Sequence, residues 1–210
     1  MSLLQKLMEH PSLHDPCGTA AKRAHLKASL PPSVATKQVD GDLRLSEGED
    51  LLVEEGRLHV KGHLLLDDQS RLLVAGDVVV EGNIVHEGFD YALLFAGGSI
   101  QADNLLFHGE LVALEGLSLR GAAWTYFNDY STYADTLTAR AVVADDRADA
   151  VDRIHADTHL QGHSRVIAAA LEQLLHPEAW DRYQEGSYTA LAKHLRQGQP
   201  LLRDSPPRRK

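Results

Sequence analysis

The chain has 210 residues, 43% of them hydrophobic, a net charge of −9 and a single cysteine. The acidic balance excludes a binder of nucleic-acid backbone, which needs clustered Lys and Arg to release counterions. One cysteine excludes an internal disulfide framework and a four-cysteine zinc site. No apolar stretch approaches a membrane span and the first ten residues carry too short an apolar run for a secretion signal, so a soluble cytoplasmic protein is expected.

Residues 1–40 read as a helical or irregular N-terminal cap. Leu3, Leu4, Leu7 and Met8, then Ala20, Ala21, Ala24 and Leu26, keep helical spacing, interrupted by Pro11 and Pro16. His10, His14 and Cys17 form a loose group in this region with no ligand spacing of note.

From 41 to 167 a short apolar motif returns about every 20 residues, as Leu51-Leu52-Val53, Leu72-Leu73-Val74, Leu93-Leu94-Phe95 and Leu111-Val112-Ala113. Two companion motifs keep step. One is Gly56-Arg57-Leu58-His59-Val60 and Gly76-Asp77-Val78-Val79-Val80; the other is Gly62-His63-Leu64-Leu65-Leu66, Gly82-Asn83-Ile84-Val85 and Asp103-Asn104-Leu105-Leu106-Phe107. Three short runs per unit, read as apolar–polar alternation with Gly, Asp and Asn at the corners, predict a single-stranded β-solenoid. The class is mainly β, with about six coils of roughly 20 residues and a stack about 30 Å long. The strict six-residue period of left-handed hexapeptide solenoids is missing, so a right-handed coil is expected.

Where the fourth coil closes, Trp124, Tyr126, Phe127, Tyr130 and Tyr133 crowd around Asn128 and Asp129 and break the repeat. Departures from a repeat mark binding surfaces, and Tyr and Trp are favoured anchors. The residues from Trp124 to Tyr133 are therefore the candidate binding segment, with Trp124 and Phe127 inclined to packing and Tyr126 and Tyr130 to the surface. His108, beside Gly109, reads as an exposed turn residue, and Asp145, Asp146, Asp149 and Asp152 read as a solvated acidic face. His155, His159 and His163 are spaced four apart, but Gly162 spoils a helix and a strand would spread the outer pair over roughly 26 Å, so no metal site is assigned. No catalytic motif and no cofactor are read from the chain.

Residues 168–200 predict a helical C-terminal cap. Val166 to Leu175 is one helix, Pro177 opens a short second one holding Trp180 and Tyr183, and Ser187 caps a third that Gly198 stops. Residues 201–210 read as a disordered tail. Caps at both ends would cover the open strand edges of a solenoid and favour a discrete particle.

From about Gly41 to Asp146 the chain resembles the bactofilins, the polymer-forming bacterial β-solenoid proteins, in its Gly76–Val80 and Gly82–Val85 runs. The resemblance implies end-to-end self-assembly, whereas bactofilins have short flexible tails and this chain has a long structured end. The expected function is a non-enzymatic capped solenoid that binds a partner protein, as a bacterial immunity or inhibitor protein or an adaptor does. A self-assembling, homo-oligomeric structural protein is the alternative. A solenoid enzyme, acyltransferase or polysaccharide-active, is the third reading.

Overall fold

The computed structural model describes residues 3–9, 12–53, 55–126, 130–145 and 150–204. Three helices come first: α1 (Leu3–Met8), α2 (His14–Cys17) and α3 (Ala20–Ser29). The solenoid then begins at Ala35, earlier than the sequence placed it. Its first coil is β1 (Ala35–Val39), β2 (Leu43–Leu45) and β3 (Asp50–Val53), and its second is β4 (Gly56–Val60), β5 (Leu64–Leu66) and β6 (Arg71–Val74). The third is β7 (Val78–Val80), β8 (Ile84–His86) and β9 (Leu93–Ala96), followed by β10 (Ile100–Ala102) and β11 (Leu105–Phe107). Beyond these, β12 (Glu110–Leu119), β14 (Thr132–Asp145) and β15 (Ala150–Gly162) bend around corners without a break, with β13 (Ala122–Tyr126) between them. The helices α4 (Ser164–Leu174) and α5 (Pro177–Arg196) close the chain.

Among the described residues every pairing between the named strands is parallel, and equivalent strands stack coil upon coil in about six turns. Three faces result. The first runs β1–β4–β7–β10 and on into β12, β14 and β15; the second runs β2–β5–β8–β11–β13–β14; the third runs β3–β6–β9–β12. The interior holds unbroken rows such as Leu58, Val78, Ile100, Leu117 and Leu137, all fully buried or nearly so.

The faces differ in a way that the alternating reading of the repeat did not anticipate. In the middle coils only the first alternates, as in the buried–exposed–buried pattern of Ile100–Ala102. There the second and third are buried on both sides: Leu64–Leu66, Ile84–His86, Leu105–Phe107 and Leu93–Ala96 have no exposed residue. A strand buried from both sides reads as a continuous apolar run because something packs on its outer surface. Here that cover is the terminal helices. Leu4, Leu7, Leu13, Cys17 and Leu26 pack on the outer side chains of the third face, Leu73, Phe95, Val112 and Tyr133. Ile167, Leu171, Ala179, Tyr183, Tyr188, Leu191 and Leu195 pack on those of the second, Leu65, Val85, Leu106, Trp124 and Val143.

The helices thus stand at the termini, as the sequence predicts, but they lie along two flanks. Among the described residues the strand edges at the two ends carry no helix: β1 is exposed along its length until Val39, and the half-buried β15 pairs only with β14. The predicted break at Ser187 is absent. Pro177–Arg196 is one helix of 20 residues, and its apolar stripe on the second face outweighs the preference of Gly186 to interrupt it. Leu201 and Leu202 are buried too, with Leu202 bridged to Leu175, so the stretch read as a tail is ordered at least through these two.

Candidate functional site

The corner between the second and third faces lies between the two helical flanks, and the described parts of the sequence-predicted aromatic segment, 124–126 and 130–133, stand on either side of it. The structure divides that segment. Trp124 is buried on the second face, its ring 5.2 Å from that of Tyr183 on α5. Tyr133 is buried on the third face, where its hydroxyl lies 3.1 Å from Nδ1 of His14. Tyr126 and Tyr130 are half-buried, one on each side of the corner, and Phe127, Asn128 and Asp129 lie outside the described residues. Packing therefore accounts for Trp124 and Tyr133, which offer no ring to a partner.

Tyr126 belongs to a cluster that sequence spacing did not reveal. Phe89, from the loop between β8 and β9, His108, next after β11, Tyr126, at the end of β13, and Tyr188 on α5 all touch one another. Tyr126 and Tyr188 lie 4.8 Å apart between ring centroids, His108 and Tyr126 5.5 Å, Phe89 and Tyr188 5.5 Å, and Phe89 and His108 5.8 Å. The remaining pairs lie at 6.1 and 6.3 Å. Such tilted ring pairs are each worth about 0.5–1.5 kcal/mol beyond their buried area, so the cluster is a rigid base. Phe89 crowns it and is 52% exposed. On the other side of the corner Tyr91 and Tyr130 meet edge to face at 4.8 Å.

His108, expected at an exposed turn, is only 6% exposed because it is walled in by these rings. Asp145, expected on a solvated face, is 3% exposed; burial and its charge together hold the Tyr126 hydroxyl above the usual tyrosine range. Asp152 pairs with the buried Arg23 at 2.6 Å, and Asp146 and Asp149 lie outside the described residues. The three spaced histidines are scattered. His155 lies opposite Thr138 on the outside of the first face, and His159 lies opposite the core residue Val142 on the second. His163 caps α4 by accepting from the backbone of Arg165.

Phe89 had a signal in the sequence. The chain needs Glu87 to Ala92 to turn this corner in the third coil, against Asp67 to Ser70 one coil below and only His108 and Gly109 one coil above. Insertions in single repeats fall on loops and commonly carry binding function. A carboxylate holds this longer loop in place: Asp68 Oδ1 accepts the backbone N–H of Asp90 at 2.8 Å.

No family model, no curated protein and no solved structure matches the chain. No helix among the described residues is long and apolar enough to cross a membrane.

Proposed function

We propose that the chain is a discrete, non-enzymatic β-solenoid that acts by binding a partner protein at the aromatic corner, as an adaptor or as an inhibitor of the immunity-protein kind. The observation that carries this reading is Phe89, a half-exposed aromatic ring seated on three others contributed by two further coils and α5. An exposed aromatic on a rigid base is the arrangement of a binding hot spot, since little side-chain freedom is left to lose on association. The test is affinity capture from the extract of the source cells with wild type, Phe89→Ala and Tyr126→Ala side by side. A partner held by the wild type should bind Phe89→Ala about thirtyfold more weakly, the effect of a hot-spot truncation near 2 kcal/mol. Equal retention by all three proteins would remove the corner from the account.

Bactofilin-like self-assembly is the second reading, favoured by the uncovered strand edges of β1 and β15. Against it stand the side chains at core positions of the end coils. Lys37 occupies the register position of Leu58, and His159 that of Val142. Both are exposed, and a second chain stacked on either end would have to bury them.

A further inference from the structure

We infer that acidity governs the presentation of Phe89, through the pair formed by Asp68 and His86; the inference rests on the reading of Phe89 as the anchor of the corner. One carboxylate oxygen is the hub. Asp68 Oδ1 accepts both the backbone N–H of Asp90, at 2.8 Å, and the ring N–H at Nε2 of His86, at 3.1 Å. The loop is folded tightly over it, because a Cβ added at Gly88 would lie 1.8 Å from the same oxygen.

His86 itself is inside the solenoid, fully buried, in register with Leu66 and 5.5 Å from the ring of Phe107. Its other nitrogen, Nδ1, has no hydrogen-bond partner among the described residues. The charged and titratable groups that face it are Asp68 and Asp67, from the corner after β5, and His108, whose ring is 6.1 Å away and forms part of the base under Phe89.

A neutral ring fits this slot, since it needs one acceptor and has one in Asp68. A protonated ring carries a second N–H at Nδ1, which is buried with no acceptor among the described residues, in a ring flanked by Phe107 and another imidazole. Burial accordingly holds the His86 pKa down, to about 4, against the upward pull of Asp68. Below the ordinary histidine pKa of about 6.5, the proton enters readily only when the loop lifts and water reaches the ring. Lifting withdraws the Asp90 N–H from Asp68 and separates Phe89 from Tyr188 and Tyr126. By linkage, the population of the open loop rises by up to about tenfold for each pH unit between about 6.5 and 4.

The test is amide hydrogen exchange of residues 87–92 in the full chain from pH 7 to pH 4.5, corrected for the intrinsic pH dependence of exchange, in wild type and His86→Phe. Wild-type protection of this loop should fall by up to about tenfold per pH unit while that of β6 and β9 holds, and the variant should show no such slope. Identical profiles in the two proteins would overturn the inference. Where His86→Phe fails to fold, the imidazole titration of His86 in the wild type, followed by NMR, decides: a midpoint near 6.5 with an unchanged loop overturns it, and a midpoint well below 6 with a loosening loop supports it. Neither readout needs the partner. The loop can thus prove acid-sensitive while Phe89→Ala leaves binding unchanged, which would sink the docking reading alone.

Discussion

Lys37 stands at the register position of Leu58, one coil outside it in the same inward-facing row of the first face. The row continues through Val78, Ile100, Leu117 and Leu137 and ends at Ile154, half-buried in the last coil. A second chain stacked head to tail would set Lys37 over Ile154, and Leu43 over His159 by the same reasoning on the second face. Burying an unpaired ammonium costs several kcal/mol, and inward-pointing charge is one of the devices by which natural sheets keep their edges single. On the proposed reading of a discrete particle, the end coils supply the block to stacking that the helices, lying on the flanks, do not.

Arg23 fixes the N-terminal helices to the far end of the stack. Its side chain is buried and reaches Asp135 at 2.9 Å, Asp152 at 2.6 Å and the carbonyl of Cys17 at 3.1 Å. Both carboxylates are nearly half exposed and can be resolvated, so the loss on Arg23→Ala falls in the range of charged hydrogen bonds rather than of a stranded buried ion. Urea unfolding should register a loss of about 2 kcal/mol, with hydrogen exchange of residues 12–29 accelerated ahead of the strands.

Two glycines separate close approach from backbone conformation. A Cβ at Gly97 would lie 2.1 Å from the carbonyl oxygen of Ala75 and 2.5 Å from Leu30, whereas at Gly41 nothing lies within 4 Å and the cost is its φ of +85°. Gly97→Ala must push one coil from the next or displace the linker to β1, so it should cost about 3 kcal/mol. Gly41→Ala should cost about 1 kcal/mol by thermal or urea unfolding. The reverse order would mean that the coils are not packed at this corner as described.

The repeat, the parallel stacking and the helical termini were legible because the core rows recur in step with the corners. The register at the third coil was not. Leu72 pairs with Leu94, one residue beyond the Leu93 that motif matching aligned with it. In a strand buried on both faces, parity leaves no mark: Leu93, Leu94, Phe95 and Ala96 are all apolar and all buried. The same continuous runs carried the information that two faces are covered, which would have put the helices on the flanks. For the site, Tyr126 stood out by composition, whereas Phe89 and His108 join it only through coil stacking and Tyr188 only through α5.

Cys17 is fully buried, and burial, aided by the charge of Glu110, pushes its thiol up to about 12. The thiolate is the reactive species, so the native protein at pH 8 should resist a maleimide or disulfide reagent and react only as it unfolds. Stoichiometric labelling within seconds under native conditions would contradict the placement of α2 on the third face.

The His86 ring also ties global stability to pH. Its folded pKa, about 4, lies below the unfolded value of 6.5, so between these limits the unfolded chain binds the extra proton. Its contribution is fully present above pH 6.5, is lost as the pH falls toward 4 and changes no further below that; over the whole window it amounts to about 3 kcal/mol. Urea midpoints across this range should fall for wild type and fall distinctly less for His86→Phe.

Light scattering on a size-exclusion column, over a wide range of concentration, tests most directly whether this solenoid is a discrete particle. Wild type should elute as one small species of constant mass, and the double variant Lys37→Leu, His159→Leu should grow with concentration as its end rows become apolar throughout. A wild-type mass that climbs with concentration, or filaments at the highest one, would contradict the account and place end-to-end assembly first.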